Sequence, residues 1–186
     1  MLGYAFCGSF CTHARALREL EGLVAAGYDV LPIASETVCT TDTRFGRAEA
    51  LLARAEEVTG HRVIHSIPEA EPLGPRLSLD ALIVSPCTGN TLAKLANGIT
   101  DTTVCMAAKA HLRCDRPLLL ALASNDALSA NLRNIGALLS RKQIYFVPMH
   151  QDDPEGKPHS LVADFSRLPE ALHAALSGRQ LRPLFL

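Results

Sequence analysis

The chain has no tryptophan, and aromatic residues make up only 5% of it. It has no surplus of positive charge either: 18 Lys and Arg stand against 19 Asp and Glu, a formal net charge of −1. Nucleic-acid binders need a basic footprint and stacking platforms, so both shortages argue against that class. No apolar run approaches the ~18 residues of a membrane-crossing helix. The opening segment, Met1-Leu2-Gly3-Tyr4-Ala5-Phe6-Cys7-Gly8, lacks a cationic start and is too short in its apolar part for an export signal. A cytoplasmic location is the expectation. None of the six cysteines (Cys7, Cys11, Cys39, Cys87, Cys105, Cys114) forms a C-x-x-C pair. Without export, disulfides are not expected, and most of these thiols read as small buried apolar groups. His61, His65, His111, His150, His159 and His173 are scattered without metal-ligand spacing, so no metal is expected. No Ser/His/Asp order and no paired-carboxylate motif stands out.

What is present is an ordinary globular composition. The 186 residues are 48% hydrophobic and 20% charged, which suits one domain over 1–186 with a sizeable core. Residues 2–7 read as a first strand, broken at Gly8-Ser9. Ala14, Leu17, Leu20, Leu23 and Val24 then recur at helical spacing, and Gly27 reads as the helix end. Asp29 to Ala34 completes a strand–helix–strand unit. The Thr-rich stretch 37–43 reads as a loop, 46–58 as a helix stopped by Gly60, and 62–65 as a third strand. Pro68, Pro72, Gly74 and Pro75 make 66–78 an irregular connection. Asp80 to Ser85 and Pro117 to Ala123 are continuous apolar runs, the mark of strands buried on both faces. Helices are expected near 89–97, 102–112, 128–140 and 167–177, with a further strand at 143–148. The tail from Gly178 reads as mobile or as docking a partner. This alternation predicts a three-layer α/β/α, doubly wound parallel sheet of the Rossmann-like or flavodoxin-like kind.

Ligands of such sheets sit beyond the carboxyl ends of the strands. Four segments lie there. In Gly8-Ser9-Phe10, Gly8 permits close approach, Ser9 and Thr12 offer hydroxyls, and helix amides point the same way. His13 and Arg15 can add positive charge. The segment is neither a G-x-G-x-x-G loop nor a P-loop, and a plain capped turn is the competing reading. Ser35 ends the second strand, where a small hydroxyl suits a phosphate or simply a turn. Pro86-Cys87-Thr88-Gly89-Asn90-Thr91 follows a fully apolar strand and opens a helix. Thr88 or Asn90 can cap that helix, and both can hydrogen-bond a planar ring. Ala123-Ser124-Asn125-Asp126 is the fourth. Asp152-Asp153 reads as a solvated turn or a weak cation site.

The Gly8-Ser9 pair, followed by Pro86-Cys87-Thr88-Gly89-Asn90-Thr91-Leu92-Ala93-Lys94-Leu95-Ala96-Asn97-Gly98-Ile99-Thr100-Asp101, resembles the flavoprotein family of FMN-dependent cysteine decarboxylases. That family's signature is Pro-x-[Ser/Thr]-x-Asn-Thr and a helix ending near Gly-[Ile/Leu]-Ala-Asp. Within it the chain is similar, over nearly its whole length, to the dipicolinate synthase branch of spore-forming bacteria. Ser124-Asn125-Asp126-Ala127-Leu128 and the stretches 144–148 and 151–163 carry that likeness. The resemblance implies FMN as cofactor. It also implies oxidation of a dihydrodipicolinate-type dicarboxylate to dipicolinic acid in the mother cell of sporulating bacteria. An A-type partner from the same synthase, which brings a nicotinamide (NADP) site, is implied, as is a homo-oligomer, a trimer or larger. The residues it carries over are Gly8 and Ser9 for the phosphate loop, Ser35, and Thr88, Asn90 and Thr91 for the flavin; Asn125 falls near the Asn of a Pro-x-Met-Asn segment. The candidate cofactor-binding set is therefore Gly8, Ser9, Phe10, Thr12, Ser35, Cys87, Thr88, Gly89, Asn90, Thr91, Ser124 and Asn125.

Two departures are visible. The decarboxylases carry a catalytic His before the Pro-x-Thr strand, and 71–76 here has none. Ser124-Asn125-Asp126-Ala127 replaces most of Pro-x-Met-Asn. Both argue against decarboxylation or prenyl transfer and leave the cofactor segment intact. A non-catalytic partner protein is the third reading, because no residue is an evident acid or base. For the substrate carboxylates, Arg76, Lys94, Lys109 and Arg133 are the candidate cations.

Overall fold

The computed structural model describes residues 1–74 and 76–186; Pro75, one of the residues read as marking the 66–78 connection, lies outside them. In chain order the elements are β1 (Leu2–Phe6), α1 (His13–Ala25), β2 (Val30–Ala34), α2 (Glu36–Thr40), α3 (Ala48–Thr59), α4 (Ile67–Ala70), β3 (Ala81–Cys87), α5 (Gly89–Asn97), α6 (Thr103–Leu112), β4 (Leu118–Ser124), α7 (Leu132–Leu139), β5 (Ile144–Phe146), β6 (Met149–His150), β7 (Leu161–Ala163) and α8 (Leu168–Leu176). The sheet runs β2-β1-β3-β4-β7-β6, and β5 also pairs with β4. The β2, β1, β3, β4 and β5 pairings are parallel, as expected for a doubly wound fold.

Alternation along the strands divides the core. On one face Leu2, Tyr4, Phe6, Ile83, Leu119 and Ala121 pack with Ala16, Leu20 and Leu23 of α1, Ala55 of α3 and Leu168 and Leu172 of α8. On the other, Leu82, Val84, Leu118, Leu120 and Leu122 meet Leu92 and Leu95 of α5, Val104 and Ala108 of α6 and Ile135 and Leu138 of α7. Period-two burial in the strands and 3.6-residue burial in the helices thus make three layers. α3 and α5 end at Gly60 and Gly98, both with φ +71°, where a side chain would be strained.

β4 has two neighbours on one edge. Leu118 to Leu120 face β5, and then Ala123 and Ser124 pair antiparallel with Val162 and Leu161 of β7. The antiparallel β6 and β7 are two and three residues long, too short for a periodic signal. They make the sheet mixed rather than purely parallel.

Several expected elements differ. Stretch 37–43 is not all loop: α2 forms because Val38 is buried and Glu36 reaches across to α6. Residues 62–65 form no strand but a single parallel bridge, Ile64 to Ile33. The 66–78 connection contains α4, closed by a capping box between Ser66 and Glu69. α7 begins at Leu132 rather than 128, since 126–131 turns around the Asp126 carbonyl, which accepts from the Ser129 and Asn131 amides. The tail docks on its own chain. Leu184 is buried, Phe185 bridges to Met149, and the Leu186 amide donates to the Met149 carbonyl at 2.9 Å. The Gln180 side chain lies along β5: it accepts from the Phe146 amide at 2.8 Å and donates to the Phe146 carbonyl at 2.7 Å.

Candidate functional site

The strand order reverses between β1 and β3, and the crevice at such a reversal is where doubly wound sheets take ligands. A cleft of about 810 Å³ opens there, inside the ~300–1,000 Å³ range of small-molecule sites. Its walls are the turn after β1, the start of α5 and the turn after β4, with Arg44-Phe45 and the Asp152–Ser160 segment at the rim.

Of the candidate residues, Gly8, Ser9, Phe10, Thr12, Thr88, Gly89, Asn90, Ser124 and Asn125 line this cleft. Ser35, Cys87 and Thr91 do not. Ser35 is buried at the start of α2, where its amide donates to the Phe6 carbonyl at 3.0 Å. Cys87 faces the core and Thr91 points inward, its hydroxyl donating to Cys7 Sγ at 3.3 Å.

Local geometry fixes the lining. Ser9 precedes a 3-10 turn, Phe10–Thr12, whose closing bond runs from the Thr12 amide to the Ser9 carbonyl at 3.0 Å. Thr12 adds a hydroxyl bond to the same carbonyl. Thr88 caps α5 by accepting from the Thr91 amide at 3.2 Å. The first intrahelical bond is Leu92 N–H to Thr88 O, so the Gly89 and Asn90 amides have no helical acceptor and face the cleft end. Asn90 and Asn125 are exposed at its mouth.

The charges differ from expectation. Arg15, expected to add positive charge beside Ser9, lines the cleft, and Arg44 and Lys157 join it, whereas Arg76, Lys94, Lys109 and Arg133, expected for the substrate carboxylates, do not. Lys94 instead pairs with Asp101 at 2.7 Å. Lys157 is paired with Asp152 at 3.0 Å, so Asp152 makes an ion pair with a side chain rather than standing as an open turn. Arg44 stacks on Phe45, 4.8 Å from the ring centroid, and Phe45 is 54% exposed. His13 adds no charge to the cleft. Its Nε2 lies 2.8 Å from the Cys7 carbonyl, and burial lowers its pKa, which favours the neutral ring. No histidine lines the cleft.

At the floor, Asp126 accepts from the Ser124 hydroxyl and, with both oxygens, from Asn131 Nδ2 at 2.9 Å. The Ser124 bond, ahead of the Asn131 bonds and against the cost of burial, holds this carboxyl below the usual carboxylate range. Arg44, Phe45, Lys157 and Asp126 are cleft residues outside the candidate binding set, although Asp126 falls in the fourth of the segments expected at the strand ends. The first three lie in loops without a pattern. Asp126 is signalled by its place in the segment that ends β4, directly after Ser124-Asn125. Among the described residues no group of His, Cys, Asp and Glu is arranged to hold a metal, and no helix is long and apolar enough to cross a membrane.

A family model described as Flavoprotein matches residues 4–164. The chain is 43% identical over 185 residues to the B subunit of dipicolinate synthase from Bacillus subtilis, covering 100% of this chain and 92% of that one. It is similar to the crystal structure of the corresponding B subunit from Bacillus halodurans, with 42% identity, 100% and 95% coverage and a TM-score of 0.91. The FMN-dependent cysteine decarboxylase SpaF shares the fold at 23% identity, with 95% and 94% coverage and a TM-score of 0.67.

Proposed function

The chain belongs to the flavoprotein family, and on that premise we propose that it is the B-type subunit of a dipicolinate synthase, one domain over 1–186 that seats FMN. It is a homologue of such subunits along its full length. The observation that carries the cofactor reading is the convergence of a hydroxyl-lined strand end and an open helix start on one cleft at the strand-order reversal.

The donor set fits FMN. Ser9 and Arg15 offer a hydroxyl and a guanidinium for a phosphate, with Thr12 holding the Ser9 turn in place. The Gly89 and Asn90 amides, with the exposed Asn90 and Asn125 side chains, offer donors and acceptors for a polar ring edge. Bound flavin supplies a two-electron acceptor, which is the chemistry that aromatising a dihydropyridine needs. The chain's own part is to bind and orient. Arg44, free of an acidic partner among the described residues, is suited to a substrate carboxylate, and Phe45 to the ring beside it. The substrate is a dihydrodipicolinate-type dicarboxylate, and the product is dipicolinic acid made in the mother-cell cytoplasm of sporulating bacteria. The A-type partner of the synthase brings the nicotinamide site, and copies of this chain assemble as trimers or larger.

One observation favours a second reading, in which the chain positions its partner rather than reacts. Among the described residues the cleft has no histidine, and its Asp126 carboxylate is held by the Ser124 hydroxyl and the Asn131 amide. Reconstitution separates the two: the A-type partner by itself, this chain by itself and both together, assayed for dipicolinate and for released FMN. Full activity from the A-type partner without this chain sinks the catalytic reading, and a colourless chain that fails to bind added FMN sinks the cofactor.

A further inference from the structure

Ser124 has one hydroxyl proton, and Asp126 takes it. The Asp126 carboxylate has no cationic partner among the described residues. It is oriented by neutral donors, Ser124 and the Asn131 amide at 2.9 Å to each oxygen. Asn131 is itself oriented, because its Oδ1 accepts from Asn134 Nδ2 at 2.8 Å. Both asparagines are buried, at 5% and 7% exposure, so this amide cannot turn over without losing bonds on both sides. Donation therefore converges on Asp126, from Asn134 through Asn131 on one side and from Ser124 on the other.

α5 closes over the cluster. A Cβ on Gly89 would stand 2.7 Å from Asn131 Nδ2 and 2.8 Å from Asp126 Oδ1, and closer still to Ser124 Oγ. The carboxylate thus lies against the first residue of α5, at the positive end of that helix. An anion already occupies this end, so a ligand's phosphate is better placed at the opposite wall, with Ser9 and Arg15.

We infer that Asp126 is a positioning residue that commits Ser124 to act toward the cleft as a hydrogen-bond acceptor only, so that the site selects a planar ring presenting an N–H at that edge. With its proton engaged, Ser124 Oγ offers lone pairs alone. A ring nitrogen carrying hydrogen is matched, and one carrying a methyl group leaves Ser124 unpaired in a buried position. The ligand chemistry is the imide N–H of an isoalloxazine, and this rests on the flavin reading above.

Equilibrium titration of the full-length apo chain with FMN and with 3-methyl-FMN, followed by flavin fluorescence, tests it. The wild type is expected to bind FMN about tenfold more tightly than the methylated analogue, the size of one unmet buried hydrogen bond. Ser124→Ala removes the acceptor, and Asp126→Asn lets the hydroxyl proton turn toward the cleft. Both are expected to bring the ratio near one, whereas Arg15→Ala weakens both flavins and keeps the ratio. Thermal melts check that each variant is folded, and Ser124→Ala serves alone should Asp126→Asn not fold. A wild type that binds FMN with no preference, or variants that keep the full preference, overturn the inference. A wild type that binds neither flavin overturns the flavin reading itself, and with it this inference.

Discussion

Thr91 joins the start of α5 to β1 through the interior: its hydroxyl donates to Cys7 Sγ at 3.3 Å and accepts from the Thr88 hydroxyl at 3.1 Å. The cap of the helix and the end of the first strand are thereby one hydrogen-bonded unit behind the cleft. Thr91→Val keeps the shape and removes the donor and acceptor. A loss of about 1 kcal/mol in denaturant unfolding is expected, the net worth of a buried hydrogen bond. An unchanged midpoint would show that the link does not stabilise the fold.

The same link bears on thiol reactivity. Burial pushes the Cys7 thiol up to about 12, against the smaller opposing effect of the Thr91 bond. Cys87 is raised well above the ordinary value by burial, while Cys11 is exposed at the cleft. Thiolate is the reactive form. A disulfide reagent at pH 8 is therefore expected to modify Cys11 first and to leave Cys7 and Cys87 untouched until the chain unfolds, as read by mass spectrometry of the labelled peptides. Early labelling of Cys7 contradicts this packing.

Gly89→Ala puts a methyl group into the Ser124–Asp126–Asn131 cluster, where no flexible end can yield cheaply. A stability loss of roughly 1–3 kcal/mol is expected from overpacking, together with weaker flavin binding. A variant of wild-type stability and affinity would mean that the helix start shifts freely.

His111 is fully buried. Its Nε2 lies 2.9 Å from the Pro117 carbonyl and its Nδ1 has no partner among the described residues. Burial, outweighing the Pro117 bond, lowers its pKa. The unfolded chain then binds the proton more readily, so stability is complete above the unfolded pKa of about 6.5 and falls as pH drops below it toward the folded pKa. Melting temperature is expected to fall between pH 7 and pH 5 in the wild type and less in His111→Gln. Parallel pH profiles would assign the acid sensitivity elsewhere.

The parallel strands are legible in the sequence because β3 and β4 are apolar throughout and carry their signal locally. α2 is not, because the helix is held by distant groups: Glu36 accepts from the Thr103 amide at 2.9 Å and the Thr103 hydroxyl at 2.8 Å. Stretch 62–65 has a strand's composition, yet only Ile64 finds a partner. The segments after β1, β3 and β4 are legible as cleft-lining because strand ends in this fold open on the crevice at the strand-order reversal. Of the cations only Arg15 is legible, since it follows the first strand end within one helical turn, whereas a surface arginine such as Arg44 differs from Arg133 only in where a patternless loop leaves it.

Gln180 matters to more than one hydrogen-bond pair. β5 is three residues long and its outward amide and carbonyl would otherwise be bare. The Gln180 amide meets both Phe146 groups as a neighbouring strand would. The chain thus supplies its own terminator for that edge. With the Phe146 groups already met by a side chain, that edge offers another molecule's backbone a shorter template, which works against edge-to-edge aggregation.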